Sequence, residues 1–213
     1  LLKEVAEASG QPVDSISSLT VAFYNAPSPE QIPLRATRVE LAAGVALDKL
    51  KAEWNVTSEA IVGQERLLIN DKEMAYYIAK DASPNSITQF SFGSAAQMKE
   101  VAELSGGAAA LNAQFKQLHA KSCQQYPLVV LGSPRYLFAE GRGLIKTLPK
   151  RLQNQIEPIL GKDSRAGLLQ TALKEQWYWE LQLIGQTDAE SPRLVTKLNE
   201  EASSVAVRVE QWL

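Results

Sequence analysis

The stretch Gln176-Trp177-Tyr178-Trp179-Glu180-Leu181-Gln182-Leu183 alternates large apolar residues with mostly polar ones. Successive side chains of a strand point to opposite faces, so this alternation is typical of a strand that is buried on one side. Together with the residues before it, the stretch predicts a hairpin over 165–173 and 176–185. A hairpin with one apolar face needs a covering layer, which favours a sheet packed against helices.

Working outward from this hairpin, similar but weaker patterns predict further strands. A pair at 16–24 and 33–41 is joined by a loop that contains Pro27 and Pro29, and proline cannot continue a sheet ladder. Three short strands are predicted at 60–69, 73–80 and 86–92. The compact apolar run at 126–131 predicts a buried strand.

Helical spacing of apolar residues accounts for most of the remaining chain. Ser94 and Gln97 have the spacing of a capping box, which marks the start of one helix. Gly141-Arg142-Gly143 weakens the middle of another, where a break and a continuous helix are both open. The predicted helices cover residues 1–9, 45–54, 94–106, 108–121, 134–148, 152–161 and 192–212.

These elements predict an α+β fold in which mainly antiparallel sheets are covered by helices. We expect a single domain over 1–213, with halves at 1–106 and 107–213 as the alternative division. A helix, a strand pair and a helix ending in tryptophan occur near both termini, which raises an internal duplication of a helix-hairpin-helix unit. Ordinary alternation in an α+β chain explains the same order, and we favour that explanation.

Composition and charge argue against several classes of function. The net charge is −2 and the charges are interspersed, so nucleic-acid binding is not expected. The longest apolar runs, of about seven residues, fall far short of the ~20 that a membrane-spanning helix needs, so we expect no membrane insertion by this segment.

The residues that commonly perform chemistry are scarce. The chain has one histidine, His119, and one cysteine, Cys123. We favour a partly buried packing role for His119, and a catalytic pair with Cys123 is the alternative. No cofactor or metal is expected, because two such residues cannot form a structural zinc site.

The candidate ligand site is an anion site formed by Arg135, Arg142 and Lys146. Backbone amides near glycines at a helix start can cradle an anion. However, residues 133–151 lack the phosphate-loop and dinucleotide fingerprints. We therefore favour a solvated basic helix face and keep the anion site as the alternative.

A likeness to known proteins rests on two motifs. Leu137-Phe138-Ala139-Glu140-Gly141-Arg142, followed by the tryptophan strand at 177–183, resembles uncharacterised globular domains in large, envelope-associated proteins of planctomycete-type bacteria. The resemblance covers the second half of the chain and implies a domain without catalytic residues to carry over. It also implies an extracytoplasmic or membrane-tethered location.

The favoured function is a non-enzymatic binding or scaffold domain of a larger, envelope-associated protein. The chain starts at Leu1 without an initiator methionine, which fits an excised domain. One alternative is a hydrolase or transferase that uses the anion site near Arg142. Another is self-association through the helix at 192–212, so the expected partner is a protein or a second copy.

Overall fold

The computed structural model describes residues 2–23, 28, 31, 33–63, 65–80, 82–103, 113–122, 126–148, 150, 153–154, 164–173, 177–185, 195–196 and 199. Contacts divide the chain into two compact units, of which the first comprises 1–24 and 34–109 and the second comprises 25–33 and 110–213. Helices and antiparallel strands occur in both units. The predicted α+β class is therefore confirmed, and a single domain over 1–213 stays a prediction.

A six-stranded sheet forms the centre of the first unit. Its strand order is β1-β2-β6-β5-β4-β3, and every neighbouring pair is antiparallel. The strands are β1 (Ile16–Phe23), β2 (Arg35–Val45), β3 (Val56–Val62), β4 (Glu65–Asn70), β5 (Met74–Tyr77) and β6 (Ile87–Ser94).

Helices cover both faces of this sheet. Because side chains alternate along a strand, neighbouring Tyr76 and Tyr77 enter two different apolar clusters. Tyr76 packs with helix α1 (Leu2–Ser9) and α2 (Leu47–Glu53), whereas Tyr77 packs with α3 (Ala95–Glu103). Both tyrosines are core residues.

One strand boundary differs from the prediction. The segment predicted as a single strand at 60–69 is the hairpin of β3 and β4. Gly63 has a φ of 63° at the turn, a left-handed conformation that glycine adopts without a steric penalty. A lone glycine inside a strand pattern also fits a bulge within one strand, so the pattern alone did not locate the reversal.

A stacked aromatic pair connects α1 to the sheet. The rings of Trp54 and Tyr76 lie 4.2 Å apart between centroids and are nearly parallel. The Trp54 indole Nε1 donates to the Ser9 carbonyl at 2.7 Å, and the Tyr76 hydroxyl donates to the Ala8 carbonyl at 2.9 Å. Carbonyls at the end of a helix have no partner within the helix, so the core aromatics cap α1.

The capping box predicted for α3 is confirmed. The Gln97 side chain accepts from the Ser94 amide at 3.1 Å, and the Gln97 amide donates back to the Ser94 hydroxyl at 3.4 Å. This reciprocal pair satisfies amides at the start of α3 that would otherwise lack partners. Local side-chain chemistry thus places the beginning of the helix that covers the second sheet face.

The second unit contains a three-stranded antiparallel sheet in the order β7-β8-β9. The predicted hairpin is confirmed as β8 and β9. The predicted helix at 134–148 is broken at residues 139–141, between α5 and α6, so Gly141 lies in the break and Gly143 lies within α6. The helices predicted at 152–161 and 192–212 lie largely outside the described residues. The elements are α4 (Ala113–Lys121), β7 (Leu128–Gly132), α5 (Pro134–Phe138), α6 (Arg142–Lys146), β8 (Ser164–Leu173) and β9 (Trp177–Gly185).

The outer strand β3 of the six-stranded sheet carries one charged side chain, Glu59. The Glu59 carboxylate accepts from the Lys51 ammonium at 2.7 Å and lies 3.4 Å from the Arg66 guanidinium. The hydrogen bond from Lys51 is the main reason that the pKa of Glu59 is below its usual value. Charges on an outer strand oppose edge-to-edge pairing with other sheets.

We expect Tyr76→Phe to lower the free energy of unfolding by about 1 kcal/mol, because it removes the hydrogen bond to Ala8 and keeps the stacked ring. Amides of α1 should exchange faster with solvent, since the helix loses part of its cap. Urea denaturation and hydrogen exchange measure the two effects. Ile61→Ala, at an exposed position, is the control and should change neither; an unchanged α1 exchange rate in Tyr76→Phe would contradict the capping role.

We expect Glu59→Gln to lower the free energy of unfolding at neutral pH by less than about 1 kcal/mol, since exposed ion pairs contribute little. The folded-state pKa of Glu59 is lowered from 4.5, so its contribution is present above that pH. It is lost as the pH falls through the folded value. Denaturation across this range should show the variant and the parent converging in acid. Glu100→Gln is the control, because Glu100 makes no ion pair among the described residues.

Candidate functional site

The sheet of the second unit has two unlike faces. The strand register shows which side chains lie on each face, because residues directly opposite each other in an antiparallel pair share a face. We define the covered face as Val129, Leu131, Ala166, Leu168, Gln170, Glu180, Gln182 and Ile184. We define the open face as Leu128, Val130, Leu169, Thr171, Leu181 and Leu183.

Helix α4 packs on the covered face. Leu118 of α4 forms a buried cluster with Ala166 and Leu168 of the central strand, and Phe115 packs against the same cluster. Gln170, farther along β8, is also buried. Burial on this face accounts for the apolar stripe of α4, which the sequence predicts correctly for Phe115 and Leu118.

No side chain of the open face is buried. Leu169, Leu181 and Leu183 are half-buried, and Leu128 and Val130 are exposed. The open face is nevertheless aliphatic apart from Thr171. Apolar surface that stays accessible to solvent in a folded protein is a feature of interaction sites when the patch is large.

Among the described apolar side chains of the three-stranded sheet, those of β7 are the most exposed, and this corrects the prediction of a buried strand at 126–131. Three consecutive side chains are exposed, at 51% for Leu128, 39% for Val129 and 48% for Val130. The prediction failed because an apolar run shows that a strand is hydrophobic but does not show whether the strand lies at the centre or at the edge of its sheet. We call residues 128–130 and the outer backbone of β7 the β7 edge.

The β7 edge differs from the other outer strands. Strand β3 carries the ion-paired Glu59, and β9 carries Glu180, whose carboxylate accepts from the Gln182 amide at 2.6 Å. Strand β1 is uncharged, but hydroxyl residues make up much of its exposed surface. Among the described outer strands, β7 alone combines the lack of any polar side chain with consecutive exposed aliphatic residues.

A signal for this edge was present in the sequence. Pro127 immediately precedes β7, and Pro134 follows it after Ser133. Proline cannot donate to a sheet ladder and is confined to outer strands or strand ends. Prolines at both ends also shorten an apolar strand, which limits uncontrolled pairing. The two prolines could therefore have identified β7 as an outer strand.

The three residues of the predicted anion site lie on the two short helices. Arg135 is in α5, and Arg142 and Lys146 are the first and last residues of α6. All three are exposed. Arg142 and Lys146 are four residues apart on one helix, a spacing that places them on the same side. The anion site stays a prediction.

Backbone groups between the two helices are already engaged. The Gly141 amide donates to the Tyr136 carbonyl at 2.7 Å, and the Arg142 amide donates to the Ala139 carbonyl at 3.3 Å. These two amides are therefore committed to the chain itself. Burial raises the pKa of the Tyr136 hydroxyl, with a smaller contribution from the Glu140 carboxylate, so Tyr136 is neutral at physiological pH.

His119 is exposed on α4, so the prediction that it is partly buried is wrong. Its neighbour Leu118 takes the buried position. The His119 carbonyl accepts from both the amide and the hydroxyl of Ser122 as the helix ends. Cys123 lies outside the described residues, and the prediction of a pair with His119 is not tested.

Two searches of the described residues found nothing. No three histidine, cysteine, aspartate or glutamate side chains in the described ranges are grouped as metal ligands would be. None of the helices in that part of the chain is both long and apolar enough to cross a membrane.

Comparisons with protein-family models, with curated proteins and with solved structures each found no match. The feature with the clearest chemical consequence is the β7 edge. An outer strand offers a row of backbone donors and acceptors to a further strand, and exposed aliphatic side chains add contact area on both of its faces.

We expect Leu168→Ala to lower the free energy of unfolding of the second unit by about 2–5 kcal/mol, because it leaves a cavity beneath α4. Leu169→Ala is the matched control, one position along β8 on the open face, and should cost less than half as much. Urea denaturation followed by circular dichroism compares the two. Equal losses would show that the open face is as well packed as the covered face.

Proposed function

We propose that this chain is a non-enzymatic binding or scaffold domain of a larger, envelope-associated protein. It binds protein partners by adding a strand of the partner to the β7 edge. The observation that carries the proposal is the run of three exposed aliphatic side chains on an outer strand without charges. In strand addition the backbone supplies affinity and alternate side chains supply specificity.

The proposed cellular location, at the cell envelope, is based on the sequence. The resemblance to envelope domains supports an extracytoplasmic or membrane-tethered setting. Interspersed charges and a net charge of −2 support a protein partner over nucleic acid.

An internal duplication of a helix-hairpin-helix unit is a secondary part of the proposal. Each half supplies one hairpin, formed by β1 with β2 and by β8 with β9, which supports it. The predicted helices that would complete the second copy lie largely outside the described residues.

The enzymatic alternative, a hydrolase or transferase with an anion site near Arg142, has weaker support. Arg135, Arg142 and Lys146 are exposed, so solvent screens their charges. The amides of Gly141 and Arg142, which could have joined such a site, already donate to carbonyls of the chain. The side chains that strand addition at the β7 edge would use, Leu128, Val129 and Val130, are exposed and uncharged.

The test is selection of peptides of about ten residues, long enough to form a strand, from a displayed random library. We expect enriched peptides to contain consecutive apolar residues, because Leu128, Val129 and Val130 are exposed one after another and so offer contact on both faces of the added strand. Binding of a selected peptide, measured by fluorescence anisotropy at about 1 µM protein, should fall at least tenfold in Val129→Lys. Ile61→Lys is the matched control, an exposed aliphatic residue of β3, and should bind as the parent does.

Backbone recognition gives a second measurement. Methylation of the peptide nitrogens that face β7 should abolish binding, because the ladder loses its donors. The proposal is wrong if no peptide is enriched, or if the selected peptides bind Val129→Lys as tightly as the parent.

A further inference from the structure

We infer that the strand added to the β7 edge is β7 of a second copy of this chain, paired antiparallel in a register centred on Val129. The inference rests on the proposed function, since it names the partner of the same edge. Two three-stranded sheets would join into one six-stranded sheet, with the open faces of both copies on the same side.

The exposed segment has the symmetry that such pairing requires. A two-fold axis through an antiparallel strand pair makes one residue face its own copy. With Val129 at that centre, Leu128 faces Val130 of the second copy and Val130 faces Leu128. The three side chains that are exposed in one copy are therefore the three that find partners, and no exposed position of 128–130 is left unpaired.

Charge supports a second copy as the occupant. Residues 126–134 contain no aspartate, glutamate, lysine, arginine or histidine, so two copies of β7 meet without opposed like charges. Like charges directly opposite in a sheet are destabilising. A partner strand with a charged residue at these positions would place that charge against Leu128, Val129 or Val130 and lose part of its hydration. A strand as apolar as β7 itself avoids this cost.

The length of β7 sets the strength of the association. The strand has five residues and is bounded by prolines. Pairing of two such strands therefore buries less surface than an interface of the standard size, which buries about 800 Å² on each partner. We therefore expect a reversible dimer with a dissociation constant on the order of 100 µM. Tethering of several copies in a larger protein or on a surface would raise their effective concentration and favour pairing.

The experiment is sedimentation velocity on the full chain between about 10 and 500 µM, a range that spans the expected dissociation constant. We expect the parent to shift from monomer to dimer as its concentration rises. Val129→Lys and Val129→Glu should each weaken self-association at least tenfold, because like charges then face each other at the centre of the register. An equimolar mixture of the two variants should form a dimer again, since the facing charges are now opposite.

Control variants distinguish specific pairing at the β7 edge from non-specific hydrophobic association. Ile61→Lys also removes an exposed aliphatic side chain and should dimerise as the parent does. Circular dichroism checks that the Val129 variants are folded. Val130→Lys, at a more exposed position of the same edge, serves as a second variant and should also weaken the dimer.

Three outcomes would overturn the inference: a monomeric parent over the whole range, a dimer that both Val129 variants retain, or a mixture that stays monomeric. A monomeric parent that still binds the selected peptides would overturn self-pairing alone and leave the proposed function standing. A parent that neither self-associates nor binds peptides would overturn both.

Discussion

An apolar sheet surface must be covered to be stable in water, and the two units of this chain meet that constraint to different degrees. In the first unit, helices lie on both faces of the six-stranded sheet. In the second unit, buried side chains lie on the covered face, and the described side chains of the open face remain at least partly exposed. The open face and the β7 edge thus keep a hydrophobic interaction available to a partner.

The first unit shows how a covering helix is held on its sheet. Trp54 and Tyr76 are core residues by their rings, and their polar ends donate to the last carbonyls of α1. One pair of side chains therefore fills the core and also holds a covering helix in place. Buried tryptophan and tyrosine usually find such partners. The outer strand β3 of the same unit carries Glu59, which pairs with Lys51 and Arg66.

Sequence patterns predicted the elements of both units well, because their causes are local. Alternation located the β8–β9 hairpin, and the Ser94–Gln97 spacing located the start of α3. The Gly141-Arg142-Gly143 pattern left a break and a continuous helix both open, and the structure has a break at 139–141. The candidate site was not predicted. The same apolar run at 126–131 fits a central strand or an outer one, and its exposure depends on strand order, which distant residues determine. The prediction for His119 was wrong for a related reason. The apolar stripe of its helix was predicted, but the rotation of the helix relative to the sheet was not.

By itself, the sequence determined the α+β class, the helix and strand types and the scarcity of catalytic side chains, since composition and periodicity act over a few residues. Only the tertiary structure decided that β7 lies at the edge of its sheet and that Leu128, Val129 and Val130 face solvent. Strand order and burial arise from contacts between segments far apart in the chain. A local pattern indicates how hydrophobic a strand is but does not indicate which strands lie beside it.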